Sequence, residues 1–223
     1  MRESVDFLLA GVGGQGILTA SDIVAEVGLA IGLDAKKSEV HGFSQRGGVV
    51  ESHVRWGLSV AAPIAAQGSV DILLAFETVE AARWIDWLKP GGMVLVNRQQ
   101  IVPMSVSAGD HHYPSKESIE TALRAHTGDV TFVEGRTIAE RLGNPRLANT
   151  ALLGALSARL AQSSQGEIDP AVWLSVIERR VPPRYVELNR EAFWEGRDRL
   201  RFDRAASTPA EKAKLVGKDT GKK

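Results

Sequence analysis

The apolar positions of the chain fall into short continuous runs that alternate with longer stretches of helical spacing. Apolar runs typical of strands buried on both faces occur at 5–10, 69–76 and 93–97. Stretches in which apolar residues recur every three or four positions occur at 17–31, 77–88 and 115–126. Because strands that alternate with helices are typical of βαβ units, the pattern predicts an α/β fold. We expect a Rossmann-like, mostly parallel sheet flanked by helices.

Two further strands are predicted ahead of residue 69, at 35–40 and 49–56. The second of them alternates between apolar and polar residues, so Val50, Val54 and Trp56 are expected to share one side. His53 and Arg55 are expected on the other side, as solvated or interface residues.

The last part of the chain predicts helices after one more strand, at 130–135. The helices are predicted at 136–142, within 143–160, from the Asp169–Pro170 cap onward, and at about 183–204. We therefore expect residues 1–204 to form a single domain with a C-terminal helical extension. Residues 205–223 are polar, rich in lysine and free of aromatic side chains, which predicts a disordered basic tail.

Composition excludes several classes of function. The 223 residues include 27 Lys+Arg and 27 Asp+Glu, so the chain lacks the basic surplus that nucleic-acid binding requires. No apolar run is long enough to span a bilayer, and the N-terminus reads as a strand and not as a signal peptide, so we expect a cytoplasmic protein. Cysteine is absent, which excludes a thiol nucleophile, thiolate-bound zinc and an iron–sulfur cluster held by this chain.

A glycine turn follows the first strand directly and leads into the first helix. Its sequence, "GVGGQG" (11–16), places Gly11, Gly13 and Gly16 at the spacing of a dinucleotide-binding turn, with Gly14 and Gln15 between them. Such a turn brings backbone N–H groups close to an anion. A dinucleotide site also needs an acid after the second strand, for which Glu39 is a candidate. Three interpretations stay open: a dinucleotide site, the edge of another phosphate or cofactor site, and a purely structural turn.

Other candidate residues have a structural alternative of equal standing. Glu77 directly follows a buried strand, where ligands collect in open α/β sheets, but an acid there also caps a helix. Asn144 and Asn149 are candidates for ligand contact or for turn and cap roles. His111 and His112 look like a metal pair, but no third ligand lies nearby in the sequence, so no metal site is predicted.

The glycine turn and the segments around the second and third strands together give the sequence a specific resemblance. "GVGGQGILTAS", "SEVHGFSQRGG" and "SHVRWG" resemble the small (beta) subunits of indolepyruvate:ferredoxin oxidoreductases. These belong to the 2-oxoacid:acceptor oxidoreductase family, whose equivalent piece elsewhere is the gamma subunit or domain. The resemblance continues through "LLAFETVEAAR", "LKPGGMVLVN", "GNPRLANTALLGAL" and "NREAFWEG", and so covers nearly all of residues 5–200. The loop "HGFSQRGG" favours the aryl-pyruvate branch over those for pyruvate or 2-oxoglutarate. The alternative is a gamma subunit for another 2-oxoacid, namely phenylglyoxylate, pyruvate or 2-oxoglutarate.

The resemblance implies one subunit of a thiamine-diphosphate-dependent enzyme. In that reaction an aryl 2-oxoacid and coenzyme A give CO2 and an acyl-CoA, and electrons pass through iron–sulfur clusters to ferredoxin. The chain has neither a thiamine-diphosphate motif nor cysteine. Thiamine diphosphate, Mg2+ and the clusters are therefore expected on a large alpha subunit, in a hetero-oligomer, and the isolated chain is expected to be inactive. The alternative is a self-contained NAD(P)-dependent dehydrogenase built on the same glycine turn.

The loop at 41–48 is then expected to dock against the partner and reach its pocket. Arg46 is a permanent cation suited to a carboxylate or phosphate, and His41 can move a proton near neutral pH. Ser44 and Gln45 add hydrogen-bonding groups. The N–H groups of the glycine pair at 47–48 (Gly47 and Gly48) can approach an oxyanion. The structural alternative is that this loop only satisfies buried backbone groups or serves as a scaffold.

Overall fold

A single six-stranded sheet forms the centre of the molecule. The computed structural model describes residues 4–41, 47–102, 106, 109, 112–163 and 166–205, without the side chains of residues 41 and 200–205. The strands are β1 (Ser4–Val12), β2 (Asp34–His41), β3 (Val49–Gly57), β4 (Val70–Ala75), β5 (Leu88–Asn97) and β6 (Val130–Val133). Their order across the sheet is β2-β3-β1-β4-β5-β6.

Strand β3 runs against its neighbours. It pairs antiparallel with β1 on one side and with β2 on the other, whereas β1, β4, β5 and β6 follow one another in parallel. The prediction of an α/β fold with a mostly parallel sheet is confirmed. Because β2 and β3 form a hairpin beside β1, the turn between them lies at the carboxyl end of β1.

Helices cover both faces of the sheet. They are α1 (Ile17–Ala30), α2 (Thr78–Arg83), α3 (Lys116–His126), α4 (Gly135–Arg141), α5 (Ala148–Gln162), α6 (Pro170–Arg180) and α7 (Val186–Ala205). On one face α1 and α5 pack on the apolar side of the strands, and α6 and α7 pack on α1 and α5. Phe7, Trp56, Trp173 and Phe193 are buried in this layer. On the other face α2 and α3 cover a second core with Leu73 at its centre.

Helices α5 and α7 touch through their backbones. A Cβ built on Gly154 of α5 would lie 2.0 Å from the carbonyl oxygen of Phe193, and one on Gly196 of α7 would lie 1.9 Å from that of Ala151. Non-bonded atoms do not approach so closely, so a residue with a Cβ does not fit at either position without moving a helix. The two glycines thereby fix the distance between α5 and α7.

His53 differs from its prediction as a solvated or interface residue. Its ring is 0 % exposed and packs against Trp87, with the ring centroids 5.1 Å apart. Neither ring nitrogen has a hydrogen-bond partner among the described residues. The alternation of β3 is correct, but the chain folds over the polar side of this strand, because the 3-10 turn Ile85–Trp87 brings Trp87 onto it. Burial lowers the pKa of His53 below its ordinary value.

The segment 77–88 also differs from its prediction as one helix. Helix α2 ends at Arg83, the 3-10 turn follows, and β5 already begins at Leu88, so that Pro90 lies inside a strand. Strand pairing explains the early start, because Leu88 pairs with Val70 of β4 before a bulge. None of the helices in the described part of the chain is long and apolar enough to cross a membrane. The domain boundary at residue 204 stays a prediction, since residues 206–223 lie outside the described residues.

Candidate functional site at the carboxyl edge of the sheet

The glycine turn connects β1 to α1 in a conformation that needs glycine. Gly14 and Gly16 have φ values of 101° and 76°, in the left-handed region that residues with a Cβ rarely adopt. Gly16 is the N-cap of α1, and no side chain among the described residues caps this helix end; its first turn also has no acidic residue. Within the described part of the chain, the first N–H groups of α1 therefore have no side-chain acceptor, which suits a negatively charged group.

The two glycine runs of the sequence meet at this point. The amide of Gly13 donates to the carbonyl oxygen of Gly48 at 2.7 Å, and the amide of Gly47 donates to the carbonyl oxygen of Gly13 at 3.3 Å. This contact extends the β1–β3 ladder by one step beyond its last pair, Val12 and Val49. The turn at 13–16 and the end of the loop at 47–48 are therefore hydrogen-bonded neighbours at one edge of the sheet.

Most of the predicted loop lies outside the residues that the structure describes. Ser44, Gln45 and Arg46 lie outside the described residues, and so does the side chain of His41. Their assignment as catalytic or binding residues stays a prediction. The described residues on either side are His41, whose backbone ends β2, and Gly47, which contacts the glycine turn.

Gln15 faces inward from the glycine turn. Its Oε1 accepts from the amide of Val12 at 2.8 Å, while its Nε2 donates to the carbonyl oxygen of Phe76 at 2.8 Å and to Oε1 of Gln99 at 3.2 Å. Asn149 of α5 in turn donates from Nδ2 to the carbonyl oxygen of Gln15 at 2.5 Å. Both amide hydrogens of Gln15 are thus used within the protein, and the residue ties the ends of β1 and β4 to α5.

A cavity of about 680 Å3 opens beside the turn. Its lining includes the turn, one face of α1, the start of α5 and the link between α6 and α7. Several residues singled out in the sequence meet here: Gly13, Gly14, Gln15, Gly16, Asn144 and Asn149. Asn144 accepts from the amide of Arg146 at 3.1 Å and so caps the 3-10 turn Pro145–Leu147. Arg146 itself is exposed at the cavity and forms no ion pair with the residues that the structure describes.

Glu77 is buried at the start of α2. Its Oε2 accepts from the amides of Val79 and Glu80 at 2.7 and 3.0 Å, which makes it the N-cap of the helix. Its Oε1 accepts from the amide of Ile101 at 3.1 Å and from the hydroxyl of Tyr113. Burial and this neighbouring carboxylate raise the pKa of Tyr113 well above its ordinary value, so the hydroxyl stays a donor. Glu77 holds α2 to the segment after β5, and its contact with a ligand stays a prediction.

A second cavity, of about 390 Å3, lies at the same edge of the sheet. Arg98, Lys116 and Arg136 line it together with Phe132, over whose ring the Arg98 guanidinium lies at 4.3 Å. Arg98 also pairs with Glu134 at 3.1 Å. Gln99 lines this cavity as well as the larger one. Among the described residues no group of three His, Asp or Glu side chains is placed to hold a metal ion.

The arrangement departs from that of a dinucleotide site. Strand β3 lies between β1 and β2, so Glu39 is two strand spacings, about 10 Å, from β1, and the register places it level with Leu9 and not with the turn. Glu39 also forms an ion pair with Lys37. The N–H of Gly13 is already used by Gly48. Neither the acid nor the full set of turn amides is therefore available to a ribose and a pyrophosphate.

Comparison with known proteins identifies the family. Residues 6–199 match the family described as pyruvate ferredoxin/flavodoxin oxidoreductase. The chain belongs to this family. It is similar to the indolepyruvate oxidoreductase subunit IorB of Pyrococcus horikoshii, with 37% identity over 189 residues that cover 84% of this chain and 92% of that protein. The protein of the same name from Archaeoglobus fulgidus is 40% identical over 152 residues, which cover 68% of this chain and 75% of that protein.

The fold of the pyruvate ferredoxin/flavodoxin oxidoreductase family agrees with the structure. The keto/oxoacid ferredoxin oxidoreductase gamma subunit of Geobacter sulfurreducens superposes on this chain with a TM-score of 0.61 at 26% identity. The superposition covers 87% of this chain and 96% of the gamma subunit. The predicted resemblance is confirmed. This chain is a subunit of an oxidoreductase complex.

The sequence patterns did not single out two residues of this site. Gln99 follows β5, and the rule that selected Glu77, a polar residue after a buried strand, applies equally to the "NRQQ" run at 97–100. Tyr113 is the second such residue. Its partner Glu77 is 36 positions away, and no local pattern indicates such a contact.

Proposed function

We propose that this chain is the small subunit of an indolepyruvate, or more generally aryl-pyruvate, ferredoxin oxidoreductase. The complex would convert an aryl 2-oxoacid and coenzyme A to CO2 and an acyl-CoA, and pass the electrons to ferredoxin. The small subunit would contribute walls to the substrate and coenzyme A pocket and would take part in assembly. The similarity to IorB subunits over most of both chains supports the branch.

One observation carries the proposed role in the pocket: the hydrogen bonds that join Gly13 to Gly47 and Gly48. They bring the exposed end of α1, the end of the 41–48 loop and the 680 Å3 cavity to one edge of the sheet. Both co-substrates are anions, because a 2-oxoacid has a carboxylate and coenzyme A has phosphates. The first N–H groups of α1, which no described side chain caps, and the exposed Arg146 suit such groups.

The cofactors are expected on other chains. A chain without cysteine cannot supply thiolate ligands to an iron–sulfur cluster, so the residues present do not fit that group. We propose that a large alpha subunit holds the clusters, thiamine diphosphate and Mg2+, and that ferredoxin is the acceptor of the whole complex. This chain would bind and orient anionic ends of the co-substrates and exclude water from them.

The loop is proposed to reach the partner's pocket. Arg46 would pair with a carboxylate or phosphate, Ser44 and Gln45 would add hydrogen bonds, and His41 would move a proton. In the reconstituted complex, Arg46→Ala is expected to raise the KM of the 2-oxoacid or of coenzyme A about tenfold or more without a loss of assembly. Unchanged constants for both would contradict a ligand role for the loop. A lower yield of complex, with unchanged constants in the complex that does form, would favour the scaffold interpretation.

Reconstitution tests the proposed function. The chain should show no turnover alone and should support coenzyme A-dependent reduction of ferredoxin when it is co-expressed with a large subunit that carries a thiamine-diphosphate motif and cysteine clusters. Indolepyruvate should be preferred over phenylglyoxylate, pyruvate and 2-oxoglutarate in kcat/KM. A preference for one of the others would assign the chain to that branch. Turnover by the isolated chain, or micromolar binding of NAD(P) in a thermal-shift assay, would contradict the proposal and favour a dehydrogenase.

A further inference from the structure

Three side-chain amides form a connected chain at the site, and backbone groups fix the orientation of the first. The amide nitrogen of Val12 can only donate, so the atom of Gln15 that faces it must be the oxygen. The carbonyl oxygen of Phe76 can only accept, so Nε2 of Gln15 faces it. The oxygen and nitrogen of Gln15 are thereby assigned from its surroundings.

The orientation passes from Gln15 to Gln99. Since Nε2 of Gln15 is a donor, the atom of Gln99 that lies 3.2 Å from it must be the oxygen. The same oxygen accepts from Nδ2 of Asn97, also at 3.2 Å. Two donors therefore hold Oε1 of Gln99, and its NH2 group points away from both. Within the described part of the chain this NH2 group has no hydrogen-bond partner.

The backbone around Gln99 is held as firmly as its side chain. The carbonyl oxygen of Gln99 accepts from the amide of Thr78 at 3.0 Å and from its hydroxyl at 3.3 Å. Two residues later, the amide of Ile101 donates to Glu77. The start of α2 thus fixes the main chain, while Gln15 and Asn97 fix the amide. Such a group binds a ligand with little loss of rotamer freedom.

The free NH2 group belongs to a residue that lines both cavities of the carboxyl edge. Arg146 accompanies it in the larger cavity and forms no ion pair with a described residue. In the smaller cavity Arg98 and Arg136 are paired with Glu134 and Glu140. Lys116 lines that cavity too, beside Glu120. Donors and cations together select a ligand with anionic oxygens. We propose that Gln99 is a ligand-contacting residue that donates from Nε2 to a carboxylate or phosphate oxygen of a co-substrate, and that Gln15, Asn97 and Thr78 are the residues that position it. This inference rests on the proposed function.

Gln99→Glu separates the two roles of the amide. A carboxylate oxygen still accepts from Gln15 and Asn97, so the network and the fold are retained. The second oxygen replaces the free NH2 group and repels an anion. In the reconstituted complex we expect the KM of one anionic co-substrate to rise about tenfold or more, with the melting temperature and the yield of complex unchanged. A rise for the 2-oxoacid identifies its carboxylate as the ligand group, and a rise for coenzyme A identifies a phosphate.

Gln67→Glu is the matched control, because it makes the same change of charge at an exposed glutamine outside both cavities. It should leave both constants within about twofold of wild type. Unchanged constants in Gln99→Glu, or an equal rise in Gln67→Glu, would overturn the inference while the wild-type complex stays active. Inactivity of the wild-type complex would instead contradict the proposed function. If Gln99→Glu does not assemble, the uncharged Gln99→Met carries the same test of KM.

Discussion

The amide of Gly13 donates to the carbonyl oxygen of Gly48, and through this 2.7 Å contact two segments 35 positions apart form one surface. Gly13 belongs to the turn that starts α1, and Gly48 leads into β3. A change in the conformation of either segment is therefore transmitted to the other through the backbone. The glycine turn and the end of the loop act as one unit.

Gly47→Ala tests how far this unit depends on backbone conformation. Gly47 has a φ of 79°, and a Cβ built on it meets no atom within 4 Å, so strain alone opposes the substitution. We expect the free energy of unfolding to fall by about 1–2 kcal/mol in urea titrations. Gly128→Ala is the control: its Cβ also has open space, but its φ lies outside the left-handed region. The free energy of unfolding of this variant should be unchanged or raised by up to about 1 kcal/mol. Equal effects at both positions would contradict the role of strain at Gly47.

Gly196→Ala should destabilise the protein more strongly and for a different reason. The added methyl group would lie 1.9 Å from the carbonyl oxygen of Ala151, so α5 and α7 must move apart. Overpacking of this kind typically costs about 1–3 kcal/mol, and we expect the upper part of that range because the obstacle is backbone. The urea midpoint should fall accordingly, as it should for Gly154→Ala. A loss below about 0.5 kcal/mol in both variants would show that the helices separate freely.

His53 should make stability depend on pH near neutrality. Burial lowers the pKa of His53 in the folded protein, so the unfolded chain binds a proton at higher pH than the folded one does. The free energy of unfolding should therefore be constant above about pH 6.5 and fall as the pH decreases below that ordinary value. Between pH 7.5 and 5, His53→Leu should show a smaller decrease than wild type in urea titrations.

The control for this prediction is His112→Leu, at an exposed histidine. It should keep the pH dependence of the wild type. At neutral pH His53→Leu is also expected to be at least as stable as wild type, because it removes two buried ring nitrogens that lack hydrogen-bond partners. If the free energy of unfolding decreased equally in wild type and in His53→Leu, His53 would not be the source of the pH dependence.

Tyr113→Phe should loosen the segment that directly follows Gln99. The Tyr113 hydroxyl donates to Glu77, which also accepts from the amide of Ile101. Loss of a hydrogen bond to a buried carboxylate should lower the free energy of unfolding by about 1–3 kcal/mol. Hydrogen exchange at the Ile101 amide should become faster. Tyr185→Phe is the control, because its hydroxyl forms no hydrogen bond with residues that the structure describes. If exchange at Ile101 does not change, Tyr113 does not hold this segment.

Much of the fold follows from local sequence pattern. The run from Val5 to Ile31 predicts a strand, a glycine turn and a helix because burial on both faces and helical periodicity are visible within a few residues. The direction of β3 is not visible in this way, since an alternating strand fits either orientation. The burial of His53 is equally nonlocal, because it depends on Trp87 from a distant turn.

In the candidate site, too, some features follow from local sequence and others depend on distant residues. Glycines with positive φ, such as Gly14 and Gly16, follow from their residue type and their place between strand and helix. The inward orientation of Gln15 does not, because its partners Phe76 and Gln99 follow later strands of the sheet. A side-chain amide can donate and accept, so its sequence position alone does not tell whether it meets a ligand or the protein.

The hairpin of β2 and β3 has a consequence for engineering. Main-chain pairing from Asp34 with Gly57 to His41 with Val50 joins the two strands, and β3 is also paired with β1. The strands on both sides of the segment 42–46 are therefore held by the sheet independently of that segment. Under the role proposed for the loop, a graft of this segment from a family member of another branch is expected to shift the oxoacid preference towards that branch.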